Sequence, residues 1–243
     1  VLSGQLLEVK GSQGVNDITG SGLAFGEKIT GGAKGDSITG GAGADDMTGN
    51  GGRDYFIQGA GASGLTAATV DQISDFGKVT VAATAAEVGG MTNIGTFQGS
   101  ATARGGDNAD IVDFTAVAGT AVGSPKSSAD DAAINVALEG LDLSDATQFA
   151  GKVINASIAK GVLTVGGADA AMVDTLAEWV AVANVAAETA GETVAFQFNS
   201  NTYLFQQQAA GDELVELTGV TGATGVVLVG GAVAAAVGDI FVL

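Results

Sequence analysis

Residues 11–57 read as five imperfect copies of one short phrase: GSQGVNDIT, GSGLAFGEKIT, GGAKGDSIT, GGAGADDMT and GNGGRDYFI. A large apolar residue falls at Ile18, Ile29, Ile38, Met47 and Phe56, so the steps are 11, 9, 9 and 9 residues. Two places ahead of each stands an acidic or amide side chain: Asn16, Glu27, Asp36, Asp45 and Asp54. The fourth copy matches G-G-x-G-x-D-x-U-x at every fixed position. A fixed short period restricts the chain to stacked units, each too small to bury its apolar side chain alone. A Gly-rich flexible linker is the competing reading, but linkers do not hold an acid-x-apolar register over four repeats.

Each copy divides into a loop half, G-G-x-G-x-D, and a strand half, x-U-x. Glycine permits backbone with φ > 0 and lets carbonyls turn inward. In the strand half the large apolar residue points to one face and its neighbours to the other. Stacking then builds a ladder of Ile, Met and Phe inside and a row of carboxylates along the edge. Such a row repels itself unless cations lie between the turns. Carboxylate and carbonyl oxygens at this density suit Ca²⁺, which takes six to eight oxygen ligands.

The stretch resembles the RTX (repeats-in-toxin) family. That resemblance implies a mainly β fold: a parallel β-roll (calcium β-helix), then a β-rich C-terminal region with one or two helices. It implies several Ca²⁺ ions between adjacent loops, held by the aspartates Asp36, Asp45 and Asp54 and by carbonyls of Gly32, Gly41, Gly43 and Gly52. Asn16 is a weaker candidate because an amide replaces the acid. The second copy departs most: it is two residues longer, carries Glu27 for Asp and lacks the paired glycines. It is expected to bulge outward and to weaken the sites beside it. Lys34 stands where a loop glycine is expected, which puts that loop's geometry in question.

Two later segments echo the pattern. Val70–Phe76 (VDQISDF) resembles the segment that closes the repeats in RTX proteins; Asp71 and Asp75 read equally as ligands of a last calcium site or as solvated strand-edge acids. Arg104–Phe114 (RGGDNADIVDF) reads as a degenerate repeat, with Asp107, Asp110 and Asp113 either near an ion or in an acidic turn.

Composition narrows the function. With 27 acidic and 9 basic residues the formal net charge is −18, which makes nucleic acid and anionic membranes poor partners. The chain has no cysteine and no histidine, which removes disulfides, thiol catalysis, the usual zinc ligands and the commonest general base. H-E-x-x-H, G-x-S-x-G and phosphate-loop motifs are missing, and Ser157-Ile-Ala-Lys160 lacks the companion motifs that would make it catalytic. The reading is therefore a non-enzyme. Residues 217–238 carry no charge, but six glycines and three threonines break them, so a membrane span is not expected. The chain starts Val1-Leu2-Ser3 and is read as a fragment or processed product.

The expected organisation is a repeat region with inserts (1–118), a linker loop (119–131) holding the single proline, Pro125, and a β-rich C-terminal domain (132–243). A strand leads in at Gln5–Val9, and others are expected at Val79–Ala83, Ala133–Leu138, Leu141–Leu143 and Val162–Val165. Ser144 is expected to cap a short helix reaching about Ile154. Met172, Leu176, Trp179, Val180, Ala183 and Ala187 recur at helical spacing and predict a helix over 169–187, with Trp179 in the core. Strands at Thr193–Phe198 and Thr202–Phe205 flank the turn Asn199-Ser200-Asn201, and strands at Glu213–Leu217 and Val226–Val229 follow. The closing Asp239–Leu243 resembles the uncleaved signal read by type I ABC exporters.

These resemblances imply a secreted structural protein of a Gram-negative cell surface: the C-terminal part of a surface-layer (S-layer) subunit that folds and self-assembles on binding Ca²⁺. Its partners would be Ca²⁺, other copies of itself, the exporter through the tail, and a cell-surface polysaccharide through whatever precedes Val1. The alternative is the secretion and folding module of an exoenzyme, a protease or lipase, with its catalytic domain upstream.

Overall fold

Each repeat copy ends in one short strand, and successive strands go to opposite sheets. The computed structural model describes residues 7–59, 61–78, 110–115, 134–137, 153–159, 161–187, 190, 192–208, 211–228 and 239–242. The strands of its N-terminal part are β1 (Leu7–Lys10), β2 (Asp17–Thr19), β3 (Glu27–Thr30), β4 (Ser37–Thr39), β5 (Asp46–Thr48), β6 (Tyr55–Gly59), β7 (Asp71–Ile73) and β8 (Ile111–Thr115). The odd-numbered strands pair in parallel in one sheet and the even-numbered ones in parallel in the other. A full circuit therefore takes two copies.

The register follows the apolar period. Val9, Ile29, Met47 and Ile73 are partners along the first sheet. Ile18, Ile38, Phe56 and Val112 are partners along the second. The two ladders face each other in a single core, where Ile29, Ile38, Met47, Phe56, Ile73 and Val112 are all fully buried. A one-residue slip would turn each ladder outward, so burial holds the register. The two extra residues of the second copy leave that register intact. They swell the loop 20–26, where Leu23 and Phe25 are exposed, while Glu27 and Ile29 stay buried in line.

The C-terminal part extends both sheets. Strands β9 (Ile134–Ala137), β10 (Val153–Ala159) and β11 (Val162–Gly166) are followed by helix α1 (Leu176–Ala186). Then come β12 (Thr193–Phe198), β13 (Asn201–Gln206), β14 (Glu213–Leu217), β15 (Val226–Leu228) and β16 (Asp239–Val242). β14 lies parallel to β7, so one ten-stranded sheet runs from β1 through β7 and β14 to β9. β16 lies antiparallel to β8 and to β15, which completes a six-stranded second sheet. The expected linker 119–131 lies outside the described residues; on either side of it both sheets run on without interruption. The chain is thus mainly β, with two sheets that are parallel in their N-terminal part, and one α-helix among the described residues.

The meander β12–β14 is apolar on both faces because both are covered. Ala195, Leu204, Val215 and Leu217 join the ladders on one side. Val194, Phe196, Tyr203, Phe205 and Leu214 pack with α1 on the other. The β12–β13 turn needs left-handed backbone at both central residues, which Asn199 and Ser200 supply at φ 48° and 65°. Trp179, expected in the core, is only partly buried: it packs against the helix-side core, stacked on Phe196 at 5.4 Å.

Two helical expectations are corrected. The helix begins at Leu176 rather than 169, because Thr175 and Glu178 form a capping box that fixes the start; Ala170–Met172 make only a 3₁₀ turn. Val153 and Ile154 open β10 instead of ending a helix, since these two β-branched residues pair with Ala137 and Val136 of β9; the rest of the expected helix, 144–152, lies outside the described residues. The strands expected at 79–83 and 141–143 fall outside the described residues. No helix among the described residues is long and apolar enough to cross a membrane.

Candidate metal centre

From β3 to β8 each strand has a buried acid as its first residue or immediately before it, and the parallel stacking makes two columns of such acids. The second sheet carries Asn16, Asp36, Asp54 and Asp110. The Asn16 amide donates to Asp36 Oδ1 at 2.7 Å, the Asp36 amide to Asp54 Oδ1 at 2.8 Å, and the Asp54 amide to Asp110 Oδ1 at 2.8 Å. The first sheet carries Glu27, Asp45 and Asp71, joined the same way: the Glu27 and Asp45 amides donate to Asp45 Oδ1 and Asp71 Oδ1 at 2.8 Å each. The partners lie 18 residues apart at Glu27–Asp45 and Asp36–Asp54, and 20 apart at Asn16–Asp36, where the two inserted residues intervene. Every acid in both columns is at most 4% exposed.

The second oxygens distinguish the columns. In the second sheet, Asp36 Oδ2 accepts from the Gly32 amide, and Asp110 Oδ2 accepts from the Gly77 amide at 2.7 Å. In the first sheet, Glu27 Oε1, Asp45 Oδ2 and Asp71 Oδ2 are buried with no hydrogen-bond partner of good geometry, the Gln58 side chain near Asp71 favouring its charged form without closing that gap. A buried carboxylate oxygen left unpaired is costly unless a cation or a proton completes it.

The loops supply the remaining oxygens. Gly41, Gly43 and Gly52 adopt φ of 101°, 134° and 107°, in the region that favours glycine. A Cβ on Gly43 would lie 2.7 Å from the Phe25 carbonyl oxygen, and one on Gly41 would overlap the Ser21 carbonyl. The carbonyls of neighbouring loops thus approach where only glycine fits. The third copy differs: Gly32 and Lys34 lack positive φ, as expected where a side chain replaces the loop glycine. Asn50 takes φ 70° at the place of Gly41, a conformation asparagine tolerates.

The remaining candidates scatter. Asp75 is exposed, and its two oxygens accept from the Gly49 and Asn50 amides at 2.9 and 2.7 Å. Its charge reaches both Asp54 and Asp110. Asp113 pairs with Ile57 and Asp239, and strand alternation puts it on the face opposite Val112, away from the column. Asp107 lies outside the described residues. Among the described residues, no three acidic side chains gather closely enough to hold an ion by side chains alone. A cation here would draw on one or two carboxylates with loop carbonyls, and unpaired oxygens beside glycine-only loops fit a hard, oxygen-seeking ion.

Burial dominates the electrostatics. It pushes Asp54 up to about 7 and Asp71 up to about 8, and it raises Asp45 and Asp110 as well. Amide donors oppose the rise at each of the four, while the next acid in the column adds to it. Without a cation, the folded chain therefore holds protons that the unfolded chain, with carboxyls near 3.8, has released. Stability should be greatest below that lower value and should fall as pH rises towards about 8. In chelator, circular dichroism is expected to show little β-structure at pH 8 and a partial gain of it towards pH 5, and saturating Ca²⁺ should remove most of this dependence. β-structure that grows from pH 5 to pH 8 in chelator would contradict the buried, unpaired columns.

Glu27 and Glu213 are the acids that the motif treated least well. Glu27 occupies the column in place of Asp, its longer side chain reaching back to accept from the Ser21 amide at 2.6 Å. Glu213 is fully buried where β14 joins β7. Its signal was the same spacing, an acid two places before a buried Val215. The chain matches no family model, no curated protein and no solved structure.

Proposed function

We propose that this chain is a calcium-dependent structural module: a β-roll of the RTX kind within a secreted bacterial surface-layer subunit, which folds outside the cell and then associates with its own copies. The observation that carries the reading is the pair of buried acid columns, one with three unpaired oxygens, beside glycine-only loops. Asp45 and Asp71, with Glu27, would hold ions along the first sheet; Asp36, Asp54 and Asp110 would hold them along the second, with loop carbonyls completing each shell. Bound Ca²⁺ supplies the positive charge that lets stacked carboxylates stay ionised and buried.

The consequence is a switch set by compartment. Where calcium is scarce the columns repel and the chain stays unfolded, in a form suited to export. Extracellular modules bind Ca²⁺ at roughly 10⁻⁴–10⁻³ M. Millimolar calcium outside the cell then stabilises the folded state by mass action, because the unfolded chain lacks the sites. With a net charge of −18, copies repel one another, and cations at the surface would also favour their association.

Adjacent acids give the test. Asp45 is buried in a column, while Asp46 points outward, half exposed, with Lys28 at 3.9 Å. Asp45→Asn should raise the calcium concentration at the folding midpoint several-fold, followed by circular dichroism. Asp46→Asn removes the same charge and should leave the midpoint within twofold. Equal shifts would reduce the effect to general charge and count against the column as the site.

A further inference from the structure

The seam between the repeat stack and the meander holds a second kind of acidic pair. We propose that Asp71 and Glu213, with Ser63 between them, form a further divalent-cation site of calcium-type oxygen chemistry, built from a repeat-side strand and a strand some 140 residues downstream.

Parallel pairing of β7 and β14 puts Val215 opposite Asp71, with Glu213 at the start of the neighbouring strand. Ser63 connects the two acids. The Asp71 amide donates to Ser63 Oγ at 2.7 Å, the Ser63 hydroxyl donates to the Leu214 carbonyl, and the Ser63 amide donates to Glu213 Oε2 at 3.1 Å. The first column thus ends on a neutral hydroxyl where the next carboxylate would have stood. Glu213 flanks that hydroxyl, and the charges of Asp45 and Glu213 both act on Asp71.

Both acids are 0% exposed. Neither forms an ion pair among the described residues. Asp71 Oδ2 has no hydrogen-bond partner of good geometry, although the nearby Gln58 side chain favours its charged form. Glu213 accepts from the Ala62 and Ser63 amides at 3.1 Å each, and the Gly61 amide also favours its charged form. The two buried carboxylates repel each other, and a shared cation would offset a cost that amide donors relieve only in part; the oxygen donors favour a hard divalent ion. A site here differs from the loop sites in its ligands and in what it joins, since an ion between Asp71 and Glu213 would fasten the meander to the stack. The site shares with the loop reading the premise that the chain takes up calcium.

Native mass spectrometry of the whole chain across a Ca²⁺ titration tests it. Glu213→Gln, which keeps an acceptor for the two amides, should bind one Ca²⁺ fewer than the unsubstituted chain. An unchanged ion count would overturn the seam site and leave the loop sites standing. No bound Ca²⁺ in the unsubstituted chain would overturn both. Should Glu213→Gln fail to fold, anomalous scattering from crystals of the unsubstituted chain soaked in Tb³⁺ decides the matter. A peak within about 2.3–2.6 Å of oxygens from both Asp71 and Glu213 is expected; its absence there would overturn the proposal.

Discussion

Phe56→Ala is expected to lower the free energy of unfolding by about 3–5 kcal/mol in saturating calcium. Phe56 is fully buried midway along the second sheet's ladder, with Ile38 on one side, Val112 on the other and the Phe76 ring 6.4 Å away. In a stack each turn rests only on its neighbours, so a cavity at this rung weakens the contact on both sides. Urea unfolding measures it. A loss below about 1 kcal/mol would mean that the rung collapses freely, contrary to a close-packed ladder.

Gly41→Ala should be almost as damaging, for a different reason. The backbone there sits at φ 101°, which costs a residue with a β-carbon about 1–3 kcal/mol. The added methyl would also strike the Ser21 carbonyl of the neighbouring loop, a backbone atom that cannot swing aside. Gly222 is the control: it has φ 65° with nothing within 4 Å of the added carbon. Gly222→Ala isolates the conformational cost, about 1 kcal/mol. Gly41→Ala should exceed it by at least about 2 kcal/mol and should also weaken calcium binding, because it forces two loops apart. Equal losses would show that loop proximity carries no part of the stability.

The period of nine made the centre of the fold legible. Ile29, Ile38, Met47 and Phe56 could be assigned inward, and Asp36, Asp45 and Asp54 to an edge, because side-chain direction in a strand alternates with every residue. Sequence alone could not assign the columns. Glu27 breaks the residue type of the motif yet enters its column, because a longer side chain reaches its own loop from a longer copy. Asp113 matches the acidic pattern yet faces away, because one step along a strand reverses the face. Ser63 and Glu213 carry no local signal of their meeting, since parallel pairing of β7 and β14 joins segments some 140 residues apart. The start of α1 was legible in principle from Thr175 and Glu178, but the apolar residues ahead of them continued the helical spacing and masked the cap.

If calcium builds the fold, removing it should unfold the chain. Far-ultraviolet circular dichroism of the chain in EGTA, then with millimolar Ca²⁺ or Mg²⁺, measures this directly. Little β-structure is expected in EGTA, with full recovery in Ca²⁺ and much less in Mg²⁺, whose demand for octahedral geometry and bound water suits these loops poorly. The same β-sheet spectrum in EGTA as in Ca²⁺ would contradict it, and the buried acids would then have to be held by protons alone.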